Sequence, residues 1–424
     1  MTSTTIRNAT ILDLNALLLD RQARKVDAVV PATAMSFRDG VAHLRGVVPL
    51  LNDDGVTDVN GDYRPTNVAD EHLGQKLGIP VPYLRKLRSE RPHLYDANVN
   101  AWLHGRRVRR DGEVETVHPA DDRSFLLRMF RADAGEGVLR GVLSTGYGLI
   151  DDFDVLTATL EGVRESGAEV SIDSCDLTER TMRVRLVAPG VAALAPVLLT
   201  DYRSPFTSGG AKRAGSGNGL DLDTHTNRWR ALAEREGTSY PPGQEPVVFA
   251  GFEISNSELG AGAFTLTPRL VVKICRNGLT VTADALRRVH LGSKLDDGVV
   301  AWSDNTRNKY LELIKSKATD AVRTFLSPGY VTSKVTEIER KAGARLPEPE
   351  KQVKILGKRL GLSKERTEQV LAHFIMGGSL TAGGFLNAVT SVAQVCEDGD
   401  EAADLEGRGL DALDAATALA HATR

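Results

Sequence analysis

The sequence predicts an α+β fold: a helical N-terminal part, a central antiparallel or mixed β-sheet with a packed helix, and a helical C-terminal part. Three observations predict it. Across the middle of the chain apolar and polar residues alternate as in strands, with Met182, Val184 and Leu186 set against Arg183 and Arg185. From about 303 onward apolar residues recur at helical spacing, as in Leu311, Ile314, Ala318, Val322 and Phe325. The 424 residues, 26% charged and 41% apolar, have globular composition and length for about two or three domains.

The first hundred residues read mostly helical. A hairpin is expected over 35–50, turning at Asp39-Gly40. Helices follow over about 67–77 and 82–90, joined by Gly78-Ile79-Pro80, with Pro82 suited to a first helical turn. Strands are expected at 124–131 and 138–144. Asp151-Asp152 then caps a helix with Phe153, Leu156, Leu160 and Val163 on one face. Further strands read at 169–173, 180–187, 246–255 and 264–275, and a short helix surrounds Trp229. The Gly-rich stretch 208–219 reads as a mobile loop. Pro328-Gly329 ends the first C-terminal helix, and helices follow near 331–342, 349–360, 364–375, 383–395 and 401–421. No repeat at a fixed period is visible. The expected division is a mostly helical region 1–105, a β-rich core 106–300 with an insertion at 208–245, and a helical region 301–424 with an acidic tail.

Several chemistries find no support. Cys175, Cys275 and Cys396 make no disulfide framework and match no zinc spacing. No apolar run is long enough to cross a membrane, and the first residues lack a secretory pattern, so a soluble, cytoplasmic protein of a bacterial cell is expected. Gly215 is followed by Ser216-Gly217, which excludes a Walker loop, and no dinucleotide fingerprint or nucleophile elbow is present. Asp53, Asp54, Asp58, Asn60 and Asp62 resemble a calcium loop out of register. Asp221, Asp223, His225 and Asn227 alternate and would share a strand face, where a divalent metal would give a nuclease or hydrolase; turn and loop polarity explains them more cheaply. No cofactor is expected, and an enzyme is not the favoured reading.

Charge is unevenly spread. Residues 303–366 carry fifteen basic side chains against eight acidic, and 396–414 carry eight acidic against Arg408 alone. Either the two segments pack on each other, or the basic one meets phosphate and the acidic one competes for it. Arg183 and Arg185 on one strand, with Arg269 and Lys273 on another, would line a single sheet surface if those strands adjoin, and open sheets hold single strands this way. A solvated outer face is the alternative. Gly105-Arg106-Arg107-Val108-Arg109-Arg110 is a compact basic run, and Lys212-Arg213 lies in the Gly-rich loop. Residues 67–88 have a helix–turn–helix pattern at Gly74, Gly78 and Leu84, strained by Pro80 and Pro82; a packed helical hairpin fits as well. Tyr147, Tyr202 and Phe206 are candidates for base stacking.

Five segments together resemble one family: RGVLSTGYGLIDDFDVL (140–156), SNSELGAGAFTLTPRLVVKICRNGL (255–279), RRVHLG (287–292), NAVTSVAQ (387–394) and LEGRGLDAL (405–413). They resemble the phage/plasmid-like protein family, a domain of unknown function carried by phages, prophages and conjugative elements. LGIPVPYLRKL (77–87) fits it too, and Cys275-x-Asn277-Gly278 and the paired arginines before His290 are the most specific parts. The resemblance implies DNA handling without assigning a reaction. In outline the expected core is similar to single-strand annealing proteins, which form rings and hold DNA in a basic groove. By residue chemistry, Asn277-Gly278 suits a hairpin turn with positive φ at both positions. Asn256, Ser257 and Glu258 suit a turn cap, and Arg287, Arg288 and His290 suit the end of a short helix starting near Thr282.

The expectation is therefore a phage- or plasmid-type protein that binds DNA, single-stranded DNA in particular, and anneals or protects it during recombination or replication as a homo-oligomer, conceivably a ring. Arg183, Arg185, Arg269, Lys273, Arg287 and Arg288 would hold phosphates, with Lys212 and Arg213 as a closing loop. Alternatives are the metal-dependent nuclease or hydrolase and a host-interaction or defence protein whose acidic tail mimics DNA.

Overall fold

The computed structural model describes residues 5–52, 55–110, 113–132, 134–147, 150–206, 245–272, 278–288 and 304–422. The Gly-rich stretch, the helix around Trp229, and Lys212, Arg213, Asp221, Asp223, His225, Lys273, Asn277 and His290 lie outside the described residues.

Strand β1 (Ile6–Ala9) leads into α1 (Ile11–Arg24). Thr10 opens α1 with a reciprocal box: its Oγ1 accepts from the Asp13 amide and the Asp13 carboxylate accepts from its own amide. Then come β2 (Lys25–Pro31), β3 (Met35–Arg38), β4 (Val41–Leu44), a small ribbon of β5 (Leu50–Asn52) and β6 (Gly55–Thr57), and β7 (Gly61–Pro65). The β3–β4 hairpin turns at Asp39 (φ 53°) and Gly40 (φ 73°), as its sequence requires. Helices α2 (Asn67–Leu77), α3 (Val81–Glu90) and α4 (Pro92–His104) follow, then a second ribbon of β8 (Arg106–Arg110) and β9 (Glu113–His118). Strands β10 (Ser124–Phe130) and β11 (Gly137–Ser144) complete a six-stranded sheet of order β2-β10-β11-β7-β4-β3. Its core, with Leu73, Leu84, Tyr95, Val99 and Leu127 buried, joins the sheet to α2, α3 and α4.

The N-terminal part carries the expected helices and strands besides. That region holds seven strands as well as four helices among the described residues, and its sheet is closed by strands from 124–144. Apart from the expected β3–β4 hairpin, β1, β5, β6 and β7 escaped because they span only three to five residues, too few for a period of two to stand out.

The second sheet follows α5 (Asp152–Ser166). It contains β12 (Ser171–Leu177), β13 (Met182–Leu194), β14 (Val247–Asn256), β15 (Phe264–Val272), β16 (Gly278–Thr280) and β17 (Leu286–Arg288). The order is β1-β12-β13-β14-β15-β16, with β17 also pairing β15, so the N-terminal strand forms one edge. Helix α6 (Asp304–Phe325) packs against α5 and buries Ile314, Ala318 and Val322, the expected stripe. Helices α7 (Pro328–Ala342), α8 (Pro349–Arg359), α9 (Lys364–Gly377) and α10 (Ala382–Ala393) start at side-chain caps or prolines: Ser327, Pro349, Ser363 and Thr381. All of α10 is buried. The single helix expected over 401–421 is instead two, α11 (Gly399–Gly407) and α12 (Gly409–Ala422), parted at Arg408. The architecture is α+β with helical C-terminal packing, as the sequence predicts.

Candidate functional site

The seven-stranded sheet has one apolar and one polar face. Val184, Leu186, Phe252, Ile254, Leu266 and Leu270 are buried on the first. Register puts Arg183 opposite Asp176 and Ser255, Arg185 opposite Glu253, and Arg269 opposite Thr280 on the second. Thus the strands bearing Arg183, Arg185 and Arg269 share a sheet but do not adjoin as the sequence reading requires, because β14 lies between them.

That face is closed, however. Helix α11 lies across it: a Cβ at Gly399 would stand 3.2 Å from the Asp176 side chain, and one at Gly407 3.7 Å from Thr280 Oγ1. Glu406 of α11 receives Arg185 Nε and Arg269 Nη2, each at 3.2 Å. Arg185 also meets Asp176 at 2.5 Å and Glu253 at 3.0 Å, and Arg269 meets Asp173 at 2.7 Å. Asp400 accepts from Arg183 Nη1 at 2.5 Å and from Thr178 at 2.8 Å. At the edge, Arg7 reaches Asp176 at 2.7 Å and the carbonyls of Ala393 and Cys396 at the end of α10. Arg185 is 1% exposed and Arg269 4%.

The electrostatics match this reading. Burial works against the charge on Arg185, but Asp176, Glu406 and Glu253 hold it protonated well above its ordinary range. Burial likewise opposes ionisation of Asp176 and Glu406, and their arginine partners hold both below the ordinary carboxylate range. The cation track is corrected accordingly. Arg185 and Arg269 are structural cations with no route to phosphate, and only Arg183, half-buried, reaches the rim of the face. The sequence reading missed Arg7, Asp173, Asp176 and Glu406. Asp173 and Asp176, in a strand preceding an arginine strand, were the available signal.

Gly278 belongs to this network. The expected hairpin is present, since β15 and β16 pair antiparallel, but Gly278 lies in β16 opposite Val271 without a positive φ and so is not a turn residue. A Cβ there would stand 2.0 Å from Arg269 Nη2, and glycine leaves that guanidinium its place. The Thr282 segment is likewise not a helix ending in arginines. A single 3-10 turn, Thr282–Asp284, precedes β17, where Arg287 and Arg288 pair with Thr265 and Phe264.

Beside α11 the polar face opens into a cleft of about 1140 Å³. Hydroxyls of Thr181, Ser255, Thr265 and Thr267 line the sheet side, and Asp404 and Asp411 line the helical side.

A second ionic cluster joins the two sheets. Arg128, 1% exposed, is bidentate to Asp27 at 2.9 and 3.0 Å and reaches Asp151 at 2.6 Å. Glu258 accepts from Arg140 at 2.7 Å and from the Asp152 amide at 2.9 Å, so Glu258, not Asp151, caps α5. Asn256 donates to Asp152 at 2.8 Å. Burial and the adjacent Glu258 carboxylate push Asp152 up to about 8. The segments 140–156 and 255–279 meet here, and they do so in the interior.

The remaining candidates are distributed elsewhere. Helices α2 and α3 pack on the six-stranded sheet and α4, and Arg85 and Arg88 turn back to Glu71 and Asp70. Tyr147 donates to the Ser257 carbonyl, Tyr202 is buried and Phe206 meets His373 edge-on, which removes all three as stacking platforms. The basic run 106–110 forms β8, paired with β9 alone. Asp58 and Asp62 bond Asn60, His43 and Arg45. Among the described residues no group of three His, Cys, Asp or Glu could hold a metal, and no helix is long and apolar enough to cross a membrane. In comparison with known proteins, the chain matches no family model, no curated protein and no solved structure.

Proposed function

We propose that the protein binds DNA through cations displayed outside the closed sheet face. The observation that carries this reading is the two-stranded ribbon: Arg106, Arg107, Arg109 and Arg110 share one short strand, β8, that among the described residues pairs only with β9. Backbone register sets Arg107 opposite Thr116 and Arg109 opposite Val114. Arg287 and Arg288 in β17 and the basic helices after 304 extend the supply of positive charge. Such cations bind phosphates without reading sequence and leave single-strand bases free to pair. The resemblance to the phage/plasmid-like family supports a role in recombination or replication, in a homo-oligomer that holds single-stranded DNA for annealing.

The test is fluorescence anisotropy with a labelled single-stranded oligonucleotide across a salt series. The expected result is tight binding at low salt that weakens linearly in log–log form, and a loss of about tenfold or more in an Arg107→Glu/Arg109→Glu variant. Absence of binding at low salt would overturn the reading.

A further inference from the structure

One heptad pattern occurs twice in the chain and builds the same corner each time. Leu73-Gly74-Gln75-Lys76-Leu77-Gly78-Ile79 closes α2, and Leu356-Gly357-Lys358-Arg359-Leu360-Gly361-Leu362 closes α8. Gly78 and Gly361 are left-handed, at φ 69° and 66°. The next amide bonds back in both: Ile79 to the Gly74 carbonyl at 2.8 Å, and Leu362 to the Gly357 carbonyl at 2.9 Å. The earlier glycine is a close approach in both. A Cβ at Gly74 would stand 2.7 Å from the Ile79 carbonyl, and one at Gly357 2.5 Å from Thr367 Oγ1 of the following helix. Each corner then delivers the chain into a second helix, α3 or α9, whose inward residues are buried: Leu84 and Leu87 in one, Val370 and Phe374 in the other. This is helix–turn–helix construction.

The two copies differ in where their cations go. In the first, Arg85 reaches Glu71 at 3.2 Å and Arg88 reaches Asp70 at 2.7 Å, so the guanidiniums brace the unit. In the second, Lys351, Lys354 and Lys358 are exposed along one face of α8, and Lys354 and Lys358 have no ion-pair partner among the described residues. Along α9, Lys364, Glu365, Glu368 and Ala372 are exposed, as are Ile375 and Met376 in its last turn, and Lys364 lies 4.0 Å from Glu368. Ser363 caps α9, and Arg366, bidentate to Glu401 at 2.6 Å on each arm, fastens its first turn to α11. A helix whose first two turns expose polar side chains, preceded by a helix with free ammonium groups at Lys354 and Lys358, suits a duplex. The first helix lies along phosphates and the second faces base edges in the major groove, where carboxylates accept from cytosine amino groups.

We propose that α8 and α9 form a duplex-DNA-binding unit, with Lys351, Lys354 and Lys358 on the phosphate backbone and Lys364, Glu365 and Glu368 toward the major groove. The proposal rests on the DNA-binding reading above and adds to it a second surface for a second form of DNA. The first copy, α2 and α3, is a packing corner.

The experiment is anisotropy of the full chain with a random-sequence duplex and, separately, its single strand. It compares the wild type, a Lys351→Glu/Lys354→Glu/Lys358→Glu variant and the Arg107→Glu/Arg109→Glu variant, each checked for an unchanged melting midpoint. The expected result for the lysine variant is about a tenfold or greater loss on duplex, with a salt slope lower by about three and single-strand binding kept. If the lysine variant binds duplex like the wild type while the ribbon variant loses both, the α8–α9 unit is overturned and the general reading stands. If the wild type binds neither probe, both fall.

Discussion

The polar face of the seven-stranded sheet and the outer face of α8 are both rich in cations, and they put them to opposite use. On the sheet, Arg185 and Arg269 are buried among Asp173, Asp176, Glu253 and Glu406. On α8, Lys354 and Lys358 stand in solvent. A buried guanidinium without a partner costs several kcal/mol, so a fold that encloses arginines must bring carboxylates with them. An exposed ammonium keeps its water and stays available to phosphate. What decides the role of a cation is therefore the company its element keeps, and a count of basic residues along a strand does not report that.

The comparison is broken most severely at Glu406. Glu406→Ala leaves Arg185 and Arg269 short of a carboxylate in the interior and should cost about 3–5 kcal/mol in urea unfolding. A cost below about 1 kcal/mol would place the network on the solvated side of the comparison. Next comes Gly278→Ala, whose methyl would collide with the Arg269 guanidinium. It should cost about 1–3 kcal/mol by the same measurement.

A third prediction uses pH. Asp152 titrates near 8 in the folded chain against an ordinary 3.8, so between those values the folded state holds a proton that the unfolded state has released. Its contribution is full below about pH 4 and is lost as pH rises through about 8. Asp176 and Glu406 are held low and act the other way, losing their contribution as pH falls below the ordinary carboxylate range. Asp152→Asn should therefore flatten the decline in melting midpoint between about pH 4 and 8. A wild-type slope in the variant would remove Asp152 as the titrating group. The smallest effect belongs to α8: Lys354→Ala/Lys358→Ala should change stability by no more than about 0.5 kcal/mol in urea unfolding.

Much of the fold was legible where local chemistry marks an end. Thr66, Ser327, Ser363 and Thr381 cap their helices, Gly78 and Gly378 end theirs in left-handed turns, and Asp39-Gly40 turns its hairpin. The site was legible only in part. Alternation marks the strands bearing Arg183 and Arg269, but neither the placing of β14 between them nor the lid over them follows from it. Helices α11 and α12 follow one another with Arg408 alone between them, and that residue donates to the Leu360 carbonyl, a partner distant in sequence. The acidic segment packs in part on the basic one, as one of the two readings expected: Glu401 and Asp414 pair with Arg366 and Lys341, while Asp400 and Glu406 go to the sheet, a partner the sequence reading did not name. A helix–turn–helix pattern was visible at 67–88, and its twin at 356–362 was not, because two heptads set far apart make no period.

The central claim is that the sheet arginines hold the fold together and do not hold DNA. Arg183 tests it most directly, since of the three it alone reaches the rim of the closed face. For Arg183→Gln, the account predicts unchanged single-strand affinity in low salt together with a lower urea midpoint. An affinity lower by about tenfold at an unchanged midpoint would contradict it.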